Sequence, residues 1–312
     1  MDLATLCSSV ISSIGVTAGS AWWLGRKWVN YRLELEIKRS EAQWSEELER
    51  KKAIWQGEVR QAVENDLADK AAERGYELNA RLRLYEAIGP LRFQLLKACR
   101  DLAKHVRGLS ESTNSLEPDD YHGQSTLFRL ILPLTIGELI ERQIAIADFA
   151  VDPSAVDLLR FKEAAFSALQ SSEPILNHPK ADWNNQREHI FHHRLTVVTN
   201  NTMIRKEGVP DRPMMFDEFS KLLSDRRKHE RVQPFISILK DFTIKKKPIF
   251  WIRLVFYAYV CAELVNKMGP NLSFERVEIK PEELLSRSTD PHTKQNIKKL
   301  CEEFEKLSNA KL

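Results

Sequence analysis

The sequence predicts an all-α protein with three parts, namely an N-terminal transmembrane helix, a long charged helix and a compact helical domain. Three observations lead to this prediction. Residues 3–25 carry no charge, residues 26–88 contain no proline and mix both signs of charge, and most of the remaining chain places apolar residues at helical spacing. We therefore expect an anchor over residues 1–25, a coiled-coil-like helix over residues 26–88 and an α-helical cytoplasmic domain over residues 89–312.

The uncharged run is long enough to cross a bilayer once, because a spanning helix needs about 20 mostly apolar residues. Serine and threonine interrupt the apolar residues, but their hydroxyls can bond to helix carbonyls inside lipid. A cleaved signal peptide would begin with basic residues, whereas only Asp2 precedes the run. The run therefore predicts a single-pass anchor, with a buried or surface helix as the alternative.

Basic and aromatic residues follow the uncharged run and predict its orientation. Positive flanks stay on the cytoplasmic side of a membrane, and tryptophan settles at the level of the lipid headgroups. The residues concerned are Arg26, Lys27 and Arg32, with Trp22, Trp23 and Trp28. We expect the N-terminus outside the plasma membrane and the bulk of the chain in the cytoplasm.

Small residues within the anchor predict close contact between two copies of it. Gly15 and Gly19 form a GxxxG pair, which lets two membrane helices approach each other. The same spacing also arises by chance in a segment rich in glycine and serine. The pair is therefore consistent with a homo-oligomer but does not by itself predict one.

The charged helix carries an apolar stripe with an eleven-residue repeat. Of the 61 residues from Arg26 to Glu86, 13 are basic and 13 are acidic, which is typical of a long solvated helix. A repeat of eleven corresponds to about 3.67 residues per turn, so the stripe runs almost straight. It predicts parallel oligomerisation, with folding back onto the chain's own domain as the alternative. We call the following residues the stripe: Leu33, Ile37, Trp44, Leu48, Trp55 and Val59.

Helical patterns cover most of the rest of the chain. The predicted helices lie near residues 91–106, 125–151, 154–170, 184–205, 214–230, 232–242 and 248–267, with a last one from residue 291. Residues 195–199 and 274–279 are the only strand candidates that the pattern offers.

One of these helices, residues 249–265, is apolar enough to be mistaken for a second membrane span. It contains Arg253 and Glu263, so we expect a core helix. The alternative is an interfacial helix, with Lys245, Lys246 and Lys247 contacting lipid phosphates.

Composition excludes several classes of function. The net charge of +3 does not indicate a nucleic-acid-binding face. The four cysteines, Cys7, Cys99, Cys261 and Cys301, lack CxxC spacing and predict buried thiols in a reducing compartment. Glycine-rich phosphate loops and the common hydrolase motifs do not occur. The sequence therefore predicts no cofactor and no metal site.

Histidines cluster in the segment NNQREHIFHHRL. His189 and His193 would project from one face of a helix, a spacing that suits two metal ligands but lacks a third. A polar helix face within a hydrogen-bond network is the structural alternative.

In the same segment, Arg187, four residues and His192 resemble the Rx4-6H motif of the HEPN superfamily of all-α ribonucleases. In that family an arginine and a histidine from each of two protomers meet at the dimer interface. The histidine moves a proton and the arginine stabilises charge at the scissile phosphate. The resemblance implies a nucleic-acid substrate, with Arg187 and His192 as catalytic residues.

A second resemblance rests on layout. The anchor, the charged helix and the stretches RLRLYEAIGPLRFQLL and STLFRLILPLTIGELIERQIAIADFAVDP are similar to bacterial membrane-anchored helical proteins of uncharacterised function. The similarity covers about half of the chain and implies a bacterial inner membrane.

These observations favour a non-enzymatic, single-pass scaffold that forms homo-oligomers and binds an unidentified protein. A membrane-tethered HEPN-like ribonuclease effector, acting in stress or antiviral defence, is the alternative.

Overall fold

The computed structural model describes the backbone of residues 3–112, 115–145, 153–184, 187–225 and 229–309. It describes side chains over the same ranges except residues 3–21 and 153. Contacts divide the chain into two units, Met1–Gly75 and Tyr76–Leu312, and each is described by itself.

Helix α1 extends over Leu3–Glu111 and contributes to both units. In the first unit it is solvated, and every described side chain from residue 22 to residue 74 is exposed. Ion pairs four residues apart support it there, because such pairs stabilise solvated helices. The three pairs are Lys51–Glu47 at 2.9 Å, Arg60–Glu64 at 2.9 Å and Lys70–Asp66 at 2.7 Å.

The helix does not end near Gly108, as the sequence pattern predicts, but three residues later at Glu111. It also passes through Pro90, which removes one backbone hydrogen bond. Burial of Ile88 and Leu91 on either side of the proline offsets that loss. Near the end of the helix, burial of Val106 offsets the helix-weakening effect of Gly108.

The second unit begins to bury side chains at Leu84. After α1, its helices are α2 (Tyr121–Ala145), α3 (Pro153–Gln170), α4 (His192–Asn201), α5 (Phe216–Ser224), α6 (Gln233–Leu239), α7 (Pro248–Met268), α8 (Pro281–Ser286) and α9 (Pro291–Ser308). Strands β1 (Met203–Lys206) and β2 (Val209–Pro213) form an antiparallel hairpin between α4 and α5. The described structure is therefore predominantly helical, which confirms the all-α class.

Helix α7 lies at the centre of the second unit. Its side chains are buried along nearly the whole length, and it packs most extensively against α3. Among the residues whose side chains the structure describes, it is also the one helix long and apolar enough to cross a membrane, with 83% of the relevant window buried inside the fold. The prediction of a core helix over residues 249–265 is confirmed.

The predicted anchor lies mainly in residues 1–21. The backbone of residues 3–21 belongs to α1, but their side chains are outside the described ones. The contact between Gly15 and Gly19 of two copies, and the three-part layout, stay predictions. The prediction of buried thiols is confirmed for Cys99, Cys261 and Cys301, and Cys7 lies outside the described side chains.

Four local predictions are wrong. The helix predicted over residues 184–205 begins only at His192, and the described residues just before it, 187–191, are not helical. The strand candidate 195–199 lies within α4, where Leu195, Val198 and Thr199 form one buried helical face. The candidate 274–279 forms no strand; instead the backbone of Val277 bonds to the side-chain amide of Asn266 at 2.8 and 2.9 Å. The β1–β2 hairpin, whose turn places Gly208 at a φ of 74°, was predicted as helix and loop.

Two further helices are shorter than predicted. The helix expected over residues 214–230 is α5, and the one expected over residues 232–242 is α6.

Candidate functional site

The connection between α3 and α4, residues 171–191, contacts the first turn of α7. Glu188 makes the central contact, because its Oε2 accepts hydrogen bonds from the amides of Ile249 at 2.8 Å and Phe250 at 3.0 Å. The first amides of a helix have no partner within the helix and carry partial positive charge. Burial raises the pKa of Glu188, and the two amides oppose that rise. Glu188 thus caps α7 from a distant part of the chain.

Arg253 of α7 makes the reverse contact with the end of α3. It is 1% exposed, and its Nη1 donates to the carbonyl oxygens of Ala168 at 3.0 Å and Ser171 at 2.7 Å. Burial lowers the pKa of Arg253 to about 10, while Glu188 and Glu173 oppose that shift. The guanidinium therefore stays charged at neutral pH and satisfies carbonyls that the helix leaves open.

His189 lies next to Arg253 and is 5% exposed. Its ring packs 4.9 Å from the rings of both Trp183 and Phe191. Burial and the charge of Arg253 lower its pKa, while Asp182 opposes them. The imidazole is therefore neutral at neutral pH, with one nitrogen as donor and the other as acceptor.

These residues line a cavity of about 120 Å³, which we call the Arg253 cavity. Four side-chain nitrogens of the described residues are buried without a hydrogen-bond partner, and two of them, Nε of Arg253 and Nε2 of His189, belong to residues that line this cavity. Two such atoms beside one cavity are unusual, because buried polar groups are nearly always paired. The remaining lining residues are Lys180, Ala181, Asp182, Trp183, Arg187, Glu188 and Ile249.

The two residues of the HEPN-like motif are both exposed, and one of them lines the Arg253 cavity. Arg187 is exposed and lines the Arg253 cavity. His192 is also exposed, begins α4 and has its Nδ1 3.0 Å from Oε1 of Gln170. Its ring is 5.7 Å from that of Phe166. His192 does not line this cavity. The catalytic role of Arg187 and His192 stays a prediction.

The expected pairing of His189 and His193 on one helical face is wrong, because α4 begins after His189. No group of three or more histidine, cysteine, aspartate or glutamate side chains suited to a metal ion occurs in the described part of the chain.

A second buried cluster joins the same connection to α9. His178 accepts a hydrogen bond from the amide of Lys180 at Nδ1, 3.2 Å away, so its Nε2 donates to Asp290, 3.0 Å away. Asp290 also accepts from the amide and the hydroxyl of Thr293 and caps α9. Burial raises the pKa of Asp290, but these hydrogen bonds outweigh it and lower the pKa to about 2. The sequence pattern identified the helix start but not His178, 112 residues away.

The three predicted lipid-contacting lysines differ in environment. Lys247 donates to the carbonyls of Ser237, Ile238 and Lys240 at distances of 2.6 to 3.1 Å. It thereby satisfies the end of α6. Lys245 and Lys246 are exposed, and Lys246 lies 3.7 Å from Asp241.

The stripe residues are all exposed in the single chain. Trp44 is 70% exposed and Trp55 is 64% exposed, and the other four members are between 43% and 65% exposed. Near the end of the uncharged run, cations lie over indole rings: Arg26 over Trp22 at 5.3 Å, Lys27 over Trp23 at 4.7 Å and Arg32 over Trp28 at 4.7 Å.

Comparison of the chain with protein-family models, with curated proteins and with solved structures finds no match.

Proposed function

We propose that this chain is a non-enzymatic, single-pass membrane protein whose long helix forms a parallel homo-oligomer. Its helical domain would bind another protein on the cytoplasmic side. The exposed stripe is the observation that carries the proposal. Its two largest side chains, Trp44 and Trp55, are mostly solvated in the single chain. Exposed apolar patches mark interaction sites, and burying a large apolar side chain contributes about 1.5 to 3 kcal/mol.

A second copy is the partner that fits the stripe best. The eleven-residue repeat keeps the apolar residues on one nearly straight line, so two identical helices can align along it. The flanking charges are balanced, 13 basic against 13 acidic, so the two copies do not repel each other through net charge. An anchor in one membrane would also hold both copies in the same direction.

The cation–indole pairs support the membrane part of the proposal. Basic residues and tryptophans together are typical of the cytoplasmic headgroup level, and Arg26, Lys27 and Arg32 each lie over an indole ring. Fractionation tests this part, since the full chain should stay in the membrane pellet after carbonate extraction. Complete release into the soluble fraction would contradict the anchor.

The mass of the full chain in detergent, measured by size-exclusion chromatography with light scattering, tests the oligomer. We expect wild type to be an oligomer and the double variant Trp44→Ser with Trp55→Ser to dissociate. The double variant Ile54→Ser with Leu67→Ser is the matched control. It removes side chains that are 55% and 60% exposed and lie about 100° away from Trp55 around the helix. A monomeric wild type, or equal dissociation of both double variants, would contradict the proposal.

The HEPN-like ribonuclease is the second candidate, favoured by the exposure of both Arg187 and His192. Purified full-length protein should then cleave single-stranded RNA, and Arg187→Ala and His192→Ala should abolish cleavage. His193→Ala is the control, because His193 is an equally exposed neighbour. Unchanged cleavage in the first two variants would reject this candidate.

A further inference from the structure

We propose that the Arg253 cavity binds a small oxyanion, a phosphate or a carboxylate, through Nε of Arg253 and Nε2 of His189. This inference concerns the second unit alone and does not depend on the anchor or on oligomerisation.

The two unpartnered nitrogens define the chemistry of the ligand. Nε of an arginine can only donate a hydrogen bond, and the neutral imidazole can present a donor at Nε2. Leaving such a buried group unpaired destabilises the fold, because the group has lost its hydrogen bonds to water. With His189 protonated at Nε2, both nitrogens are donors, and an oxyanion has several acceptor oxygens to offer them.

The charge of Arg253 favours a negative ligand. Lys180 lies 3.6 Å from Asp290, so the charges left beside the cavity are Arg253 and Arg187 against Glu188 and Asp182. The charge of Glu188 is directed to the two amides of α7. Hydrogen bonds between an ionised donor and an ionised acceptor are about twice as strong as neutral ones. An oxyanion would thus bond strongly to the guanidinium and satisfy both nitrogens together.

The size of the cavity limits the ligand to a small group. Its volume of about 120 Å³ is several times the roughly 15 Å³ that one water molecule requires. Trp183 is 41% exposed, so one wall of the cavity is accessible from solvent. Water could pair the same nitrogens, and the experiment must separate that case from oxyanion binding.

Isothermal titration of the full chain in detergent separates the two cases. Inorganic phosphate and acetate are titrated in separate arms, with chloride holding the ionic strength constant. Saturable 1:1 binding of phosphate, of acetate or of both is the expected result, and the two arms identify the preferred oxyanion. Absence of saturable binding in both arms would overturn the proposal and leave water as the occupant.

Three variants and a control locate the binding. Arg253→Lys keeps the positive charge but lacks Nε, and His189→Phe keeps the ring contacts but lacks Nε2. Each should weaken binding at least about tenfold, because a charged hydrogen bond contributes about 1.5 to 3 kcal/mol. Arg187→Gln, at an exposed lining position, should weaken binding by about threefold through lost charge. Arg107→Gln, an exposed position on α1, should leave binding unchanged.

Near-ultraviolet circular dichroism establishes which variants keep the native fold. Arg187 is exposed, so Arg187→Gln provides a reading even if one of the buried variants fails to fold. Wild-type affinity in a folded Arg253→Lys or His189→Phe variant would overturn the assignment. Equal affinity of Arg187→Gln and Arg107→Gln for the oxyanion would also overturn the assignment.

Discussion

Replacing Glu188 by alanine should destabilise the first turn of α7. The variant removes an acceptor that bonds to the amides of Ile249 and Phe250, at 2.8 and 3.0 Å. Two hydrogen bonds to a charged group contribute at most about 6 kcal/mol. Burial of the carboxylate, which raises its pKa, offsets part of that contribution. We therefore expect a loss of about 2 to 3 kcal/mol, within the range for losing a cap together with its interaction with the helix dipole.

Glu188→Gln separates the acceptor from the charge. The amide oxygen of glutamine still accepts a hydrogen bond, so this variant should lose about 1 kcal/mol or less. For a unit of this size, Glu188→Ala should lower Tm by about 4 to 12 °C. Glu275→Ala is the matched control, because Glu275 is exposed and also lies outside the helices.

Hydrogen exchange measured by mass spectrometry on peptides covering residues 248–256 reports the local effect. The amides of Ile249 and Phe250 should exchange faster in Glu188→Ala than in wild type, since local opening exposes them. Equal protection in Glu188→Ala and Glu275→Ala would refute the capping role. A loss in Glu188→Gln as large as that in Glu188→Ala would show that charge, and not the acceptor, is responsible.

Three further predictions concern pH and backbone geometry. Burial, with the charges of neighbouring cations, lowers the pKa of His105 to about 4, so the unfolded chain takes up its proton first as the pH falls. Stability should therefore decrease from about pH 6.5 to pH 4, by at most about 3 kcal/mol, and urea titrations of His105→Gln should show a flatter dependence. The depressed pKa of Asp290, about 2, predicts stability that is present above pH 3.8 and lost as the pH falls toward 2; thermal scans should show that Asp290→Asn lacks this loss. Gly57→Ala should stabilise α1 by about 1 kcal/mol, because alanine favours the helix more than glycine and nothing lies within 4 Å of the added Cβ. Gly123→Ala should destabilise the fold, because the added Cβ would lie 1.9 Å from the carbonyl oxygen of Glu117. Thermal denaturation should move in opposite directions for these two glycine variants.

Helices with strong apolar periodicity were predictable from the sequence. The core helix α7 is observed within one residue of the predicted end, and α3 and α9 begin within one residue of their predicted starts. The start of α2 was missed by four residues or more. Asp120, which precedes Tyr121, accepts a hydrogen bond from the amide of Gly123 at 2.6 Å and caps the helix there.

The composition of the β1–β2 hairpin does not indicate strands. Strand β2 contains Pro210 and Pro213, which are unusual within strands, and β1 contains only four residues. The glutamate and glycine of the turn, Glu207 and Gly208, are a weaker signal than the asparagine–glycine pairs typical of tight hairpins.

The candidate site depends on contacts between distant segments, which local spacing does not reveal. Glu188 and Ile249 are 61 residues apart, and Arg253 and Ala168 are 85 residues apart. The sequence pattern did identify two informative features, the segment around Arg187 and an arginine within an apolar helix. It could not show that Arg253 and His189 line one cavity.

The separation of Ala168 and Arg253 along the sequence has a consequence for biosynthesis. At about 5 to 20 residues per second, a ribosome needs roughly 4 to 17 s to synthesise the 85 residues that separate them. During that interval the carbonyls at the end of α3 lack the guanidinium of Arg253 that later bonds to them. The side of α3 that packs against α7 is also uncovered. Completion of the second unit must therefore wait until α7 has been synthesised.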